Sequence, residues 1–137
     1  MNPPAVIQAW HQVVQSRDLA ALGRLLADDV VFHSPVVHTP QRGKAVTFQY
    51  LAGAMQVLNN AGFHYEREIY GERDALLEFS TEIDGILING IDLIRWNDEG
   101  LIVDFKVMVR PLKAVNLLHQ KMGAMLERLK AAQGQQQ

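Results

Sequence analysis

The chain has 137 residues, of which 48% are hydrophobic and 20% charged, with a formal net charge of -2. This length fits one domain with its own core, and the composition excludes a wholly disordered chain. Near neutrality excludes the strongly basic surface of a general nucleic-acid binder, and no apolar run reaches the ~18–20 residues of a membrane helix. Cysteine is absent, which excludes disulfides, thiolate metal sites and cysteine nucleophiles. We therefore expect a cytoplasmic protein that contacts neither nucleic acid nor membrane.

The first part of the chain shows helical periodicity interrupted by cap and loop signals. Its predicted elements, in chain order, are a helix capped by Asn2, a short helix capped by Asp18 that includes Leu26 and ends at Asp28 and Asp29, a strand at 30–33, a loop at 34–43, and a helix from Lys44 to Asn60.

After this helix, the spacing of the apolar residues changes from a helical period to the alternation typical of strands. The predicted strands are 63–70, 75–83, 86–96 and 101–109, and Pro111 separates the last of them from a final amphipathic helix. Connections this short predict an antiparallel meander, because parallel strands need long crossovers. We expect one domain over 1–132 and a disordered polar tail over 133–137. A helix laid across such a sheet leaves an apolar hollow suited to a small molecule.

Several segments together resemble one known superfamily. They are 17–19, 26–32, the loop 34–37 closed by Gly43, 90–96 and 100–103. Their order resembles the nuclear transport factor 2-like superfamily, in its SnoaL-like branch, which is akin to ketosteroid isomerases and polyketide cyclases. The resemblance implies an α+β cone, in which a curved antiparallel sheet wraps around N-terminal helices and carries an added C-terminal helix.

Asp92 is the most informative candidate residue. It stands in the apolar segment from Ile91 to Ile94 and, with a period of two, shares a face with Trp96. Ionising a carboxyl on an apolar face is costly, so we expect it to stay neutral or to find a donor. A neutral carboxylic acid can donate a hydrogen bond to a developing oxyanion, as in ketosteroid isomerases. The alternative is a structural pair with Arg or Lys, or a solvated strand end.

The chain departs from the isomerase pattern at two other positions. The family's base is an Asp directly before a loop proline, where this chain has Ser34 before Pro35. The family's oxyanion tyrosine falls on Trp10, whose indole donates one hydrogen bond but transfers no proton. We therefore do not expect this chain to carry out ketosteroid isomerisation.

Two histidines flank the Ser34 loop. The resemblance to cyclases implies a His or Asp near the pocket as acid or base, which makes His33 and His38 candidate catalytic partners of Asp92. The alternative is that they are polar residues at a strand end and on a loop. All five histidines are dispersed along the chain, so we expect no metal site. We also expect no cofactor.

The predicted function combines the hollow with these side chains. We expect the chain to bind a small, largely apolar carbonyl-type molecule, with cofactor-independent lyase, isomerase or cyclase chemistry. The alternative is a noncatalytic ligand-binding or protein-interaction module of the same fold. The expected ligand-binding residues are Trp10, Ser34, Tyr50, Phe79, Trp96, Phe105, Val107 and Val109, and Ile83 is expected beside them.

The outer sheet face predicts a homodimer, which is also common in the superfamily. That face is expected to combine charged side chains with apolar Leu76, Leu93, Ile102 and Met108. A mixture of this kind suits a subunit contact better than open solvent.

Overall fold

The computed structural model describes residues 2–135. Its elements in chain order are α1 (Ala5–Ser16), α2 (Leu19–Leu25), β1 (Leu26–His33), β2 (Gln41–Arg42), α3 (Lys44–Leu58), β3 (His64–Tyr70), β4 (Asp74–Ile83), β5 (Ile86–Trp96), β6 (Ile102–Arg110) and α4 (Leu112–Gln135). The predicted α+β class is therefore confirmed.

The strands form one curved, unclosed six-stranded sheet in the order β2-β1-β6-β5-β4-β3. The predicted meander is confirmed, because β3, β4, β5 and β6 pair antiparallel in succession. Asp84 and Gly85 make its tightest turn, and both have positive φ, as a type I′ hairpin turn requires. The whole sheet is mixed rather than antiparallel, because β1 pairs parallel to β6. A long stretch of chain separates β1 from β6, so no hairpin turn requires these two strands to be antiparallel.

The structure corrects the boundary between the second helix and the first strand. Asp18 is the predicted cap, and its Oδ1 accepts a hydrogen bond from the Ala21 backbone N–H at 3.1 Å. The helix ends at Leu25, however, and Leu26 already belongs to β1. Residues 28 and 29 lie exposed within that strand, where its register against β6 shifts. The loop at 34–43 also contains the short strand β2, which pairs with β1.

The core lies between the helices and the inner face of the sheet. Ile7 and Leu22 from the helices and Leu77, Ile94 and Ile102 from the strands are each 0% exposed. Ile102 therefore faces inward, contrary to the prediction that placed it outside. The reason is a register shift within the β5–β6 pair: Arg95 lies opposite Asp104 but Trp96 lies opposite Ile102, so an extra residue in β6 breaks the alternation between Asp104 and Ile102.

The C-terminal helix completes the inner layer. α4 packs against α3, β5 and β6. No helix in the described residues is long and apolar enough to cross a membrane. Of the tail predicted to be disordered at 133–137, residues 133–135 lie in α4, and residues 136 and 137 lie outside the described residues.

Candidate functional site

A cavity of about 210 Å³ lies between the inner face of the sheet, the helices α3 and α4, and the loop that follows β1. Most of its lining side chains are apolar or aromatic. Its titratable lining residues are Tyr50, Tyr65, Asp92 and His119. An apolar cavity with a few polar groups is the usual form of a small-molecule site.

A short hydrogen-bond chain ends in this cavity. Trp10 on α1 donates its indole N–H to the Tyr65 hydroxyl oxygen at 2.9 Å. The Tyr65 hydroxyl in turn donates to Asp92 Oδ2 at 2.7 Å. The second carboxyl oxygen, Oδ1, has no hydrogen-bond partner among residues 2–135 and still retains accessible surface. Since Asp92 lines the cavity, Oδ1 is available to a ligand.

The surroundings of Asp92 determine its protonation. The residue is 6% exposed, and no salt bridge joins it to a cation in the described part of the chain. Desolvation by burial raises its pKa from 3.8 to about 7, although the hydrogen bond from Tyr65 opposes that rise. Burial, followed by the nearby Asp92 charge, raises the pKa of Tyr65 well above 10. Tyr65 therefore stays protonated as a donor, while Asp92 exchanges its proton near neutral pH.

Aromatic packing fixes the position of Tyr65. Phe63 contacts the Tyr65 ring edge-on, with centroids 5.2 Å apart, and stacks on Phe79 at 5.3 Å. The absence of a side chain at Gly90 makes room for Phe79, because a Cβ there would lie 2.5 Å from Phe79 Cζ. On the other side, His11 packs edge-on to Tyr65 at 5.1 Å and contacts Glu68 Oε1 through its Nε2 at 2.8 Å. The hydroxyl is thus held toward Asp92 from both sides.

The structure brings most of the predicted site residues to this one cavity. Those that line it are Trp10, Ser34, Tyr50, Phe79, Asp92, Phe105 and Val107. Ile83, Trp96 and Val109 do not line it. Trp96 packs into the main core beyond the register shift at Arg95, and Val109 and Ile83 pack around the neighbouring cluster of Ile88 and Leu118.

Neither predicted catalytic histidine reaches the cavity. His33 alternates with Phe32 along β1, and Phe32 is the one that faces inward. His33 Nε2 instead contacts Asp104 Oδ1 at 2.9 Å, where the two side chains are about a third exposed. His38 is exposed on the loop. In this structure neither histidine is placed to exchange a proton with Asp92.

Among the cavity residues that sequence reasoning missed, three bear on its chemistry and its opening. The sequence places Tyr65 in a strand but does not predict its contact with Asp92. The two residues are 27 positions apart in the sequence, and β4 lies between their strands in the sheet. His119 and Gly123 line the cavity from α4, and their spacing of four residues could have indicated a shared helix face. In the described part of the chain, no three His, Asp or Glu side chains cluster closely enough to hold a metal ion.

The chain belongs to the SnoaL-like domain family, whose model matches residues 7–105. It is similar to a steroid delta-isomerase from Pseudomonas aeruginosa, with 39% identity, coverage of 93% of each chain and a TM-score of 0.87. It is also similar to a conserved bacterial protein with a cystatin-like fold from Silicibacter pomeroyi, with 33% identity, coverage of 88% of this chain and 84% of that one, and a TM-score of 0.81.

More distant structures share the fold alone. One is a candidate polyketide cyclase from Sinorhizobium meliloti, with 15% identity, coverage of 77% of this chain and 95% of that one, and a TM-score of 0.61. A comparison with curated proteins gives no match. The resemblance to the SnoaL-like, nuclear transport factor 2-like fold is therefore confirmed.

Proposed function

We propose that this protein binds a small, largely apolar carbonyl compound in the cavity and uses Asp92 as the acid–base group of a cofactor-independent isomerase, lyase or cyclase. The observation that carries the proposal is the hydrogen-bond chain from Trp10 through Tyr65 to Asp92, which ends in an apolar cavity. The steroid delta-isomerase among its relatives supports an apolar ligand.

The direction of these hydrogen bonds leaves the carboxyl proton of Asp92 for the ligand. Because Trp10 donates to the Tyr65 oxygen, the Tyr65 hydroxyl is directed at Asp92 Oδ2. When Asp92 is protonated, Oδ1–H is then free to donate to a carbonyl oxygen. A donor fixed in an apolar site stabilises developing negative charge on that oxygen more strongly than water does.

The simplest reaction this arrangement supports is enolisation. The proton of Asp92 forms the O–H bond of the enol while the C–H bond next to the carbonyl breaks, its proton passing to water. Water then returns a proton to Asp92. A pKa of about 7 suits this cycle, because both protonation states are populated near neutral pH.

The site differs from the isomerase pattern where a second proton-transfer group would stand. Ser34 Oγ accepts a hydrogen bond from the Val36 backbone N–H at 3.1 Å, so it stabilises the loop. No second carboxyl lines the cavity among the described residues. This observation favours a second candidate, a noncatalytic binder of the same ligand class, and turnover separates the two.

Proton exchange on a simple ketone tests the proposal. The wild type and Asp92→Asn are incubated with 2-octanone in D2O, and loss of the hydrogens next to the carbonyl is followed by proton NMR. We expect exchange above buffer in the wild type and a loss on the order of 10²–10⁴-fold in Asp92→Asn. His33→Gln is the control, because His33 lies on the other sheet face. Saturable binding without exchange supports the noncatalytic binder, and absence of binding refutes both.

We also propose that the outer sheet face joins two copies of the chain. Ile69, Leu76 and Leu93 are paired across three neighbouring strands on that face. Ile69 is 52% exposed and Met108, one row away, is 50% exposed. The same face carries charges of both signs, so a two-fold contact can bury the apolar row and pair charges at its rim.

A further inference from the structure

The exposure of the lining residues locates the mouth of the cavity. At its inner end, Asp92 is 6% exposed and Phe79 is 1% exposed. Of the lining residues, Val37, His119 and Gly123 are the exposed ones. Val37 lies on the loop after β1, and the other two lie one turn apart on α4. The cavity therefore opens between that loop and α4 and closes at Asp92.

Gly123 is an unusual residue for its place in the fold. It lies in the interior of α4, where glycine is less favourable than any residue except proline. Its backbone does not adopt the left-handed conformation that favours glycine. A Cβ built on Gly123 meets no heavy atom within 4 Å, so close packing does not require a glycine. By contrast, a Cβ on Gly53 of α3 would lie 3.3 Å from Met125 Cγ, so packing between the two helices accounts for that glycine.

The space beside Gly123 belongs to the cavity mouth. Its neighbours Met122 and Leu126 line the cavity from the same helix and supply apolar contacts. A side chain at position 123 would project into the open space there. Gly123 itself adds no side-chain atom to this side of the mouth.

We propose that Gly123 is a specificity-determining position, at which the missing side chain admits the ligand and accommodates its outer end. This inference rests on the proposed function. It defines the ligand class more narrowly: an elongated molecule with its oxygen at Asp92 and an apolar outer end that lies against α4. A longer molecule of this shape can extend past Gly123 into solvent.

The fluorescent ketone 6-propionyl-2-(dimethylamino)naphthalene has the required shape and emits differently in apolar surroundings. Its association with the full chain is followed by stopped-flow fluorescence. We expect Gly123→Phe to lower the association rate constant at least tenfold, and Gly123→Ala, which adds only a methyl group, to lower it by a smaller factor. Ala124→Phe is the matched control, because Ala124 is the exposed next residue of α4 and does not line the cavity.

The outcomes separate this inference from the proposed function. Thermal unfolding by circular dichroism verifies that each variant is folded. Unchanged association in Gly123→Phe, or an equal decrease in Gly123→Phe and Ala124→Phe, overturns the assignment of the mouth and leaves the cavity as a binding site. A wild type that does not bind the ketone overturns the proposed function itself, and this inference with it.

Discussion

Replacing Asp92 by asparagine should change how stability depends on pH. In the folded protein the Asp92 pKa is about 7, against 3.8 for the unperturbed carboxyl. Below about pH 4 both the folded and the unfolded chain hold this proton, so the carboxyl carries no penalty. As the pH rises toward 7, the unfolded chain ionises first and the folded state loses relative stability. The full penalty is present above pH 7.

The magnitude follows from the pKa difference. A difference of roughly three corresponds to about 4 kcal/mol at high pH, since one pKa unit equals about 1.4 kcal/mol. About 2.5 kcal/mol of that penalty develops between pH 5 and pH 8. The amide that replaces the carboxyl in Asp92→Asn does not titrate. The free energy of unfolding of this variant, relative to wild type, should therefore rise by the same amount over that range.

Urea unfolding at pH 5 and pH 8 measures this change, followed by tryptophan fluorescence at a fixed protein concentration. Glu72→Gln is the control for replacing an exposed carboxyl by an amide, because Glu72 is exposed in the turn between β3 and β4. An equal difference between wild type and Asp92→Asn at pH 5 and pH 8 would show that burial does not hold the proton on Asp92. The proposed donor role would then be refuted.

Three further changes test other parts of the structure. Tyr65→Phe removes the hydrogen bond that lowers the Asp92 pKa, so carbon-13 NMR of the carboxyl should show a pKa above 7; a lower value would contradict the assigned contact. Gly90→Ala forces a Cβ to within 2.5 Å of Phe79 and should reduce the free energy of unfolding by about 1–3 kcal/mol, whereas an unchanged urea midpoint would count against this packing. Leu93→Lys places a charge in the middle of the proposed dimer face and should give a monomer by analytical ultracentrifugation where the wild type is a dimer; a wild-type monomer would reject the interface.

The order of elements was predictable because it depends on local signals. Short turns allow neighbouring strands only an antiparallel arrangement, and a two-residue turn with Asp84 and Gly85 leaves little choice of register. The boundary at Leu26 was not predictable, because leucine suits both a helix and a buried strand. The parallel pairing of β1 with β6 was missed because it joins segments about 70 residues apart, and no turn specifies it.

The site residues also differ in how well the sequence predicts them. Asp92 was recognisable because a carboxyl within an apolar strand is unusual in itself. Tyr65 was not, because its contact with Asp92 depends on a bulge in β3 and on how far a phenol reaches across β4. The orientation of His33 was ambiguous, because successive side chains of a strand point to opposite faces of the sheet. Only the packed structure shows which face His33 occupies.

The identity of the partner beside Asp92 determines what the site can do. An arginine or lysine there would lower the carboxyl pKa and leave an ionised group that only accepts hydrogen bonds. The partner is instead Tyr65, a neutral phenol whose own pKa is raised by burial, so it contributes a hydrogen bond without a compensating charge. Desolvation therefore outweighs that hydrogen bond, and Asp92 keeps its proton up to near neutral pH, as the proposed donor role requires. The same burial that makes this carboxyl destabilising to the fold is therefore what the proposed donor role depends on.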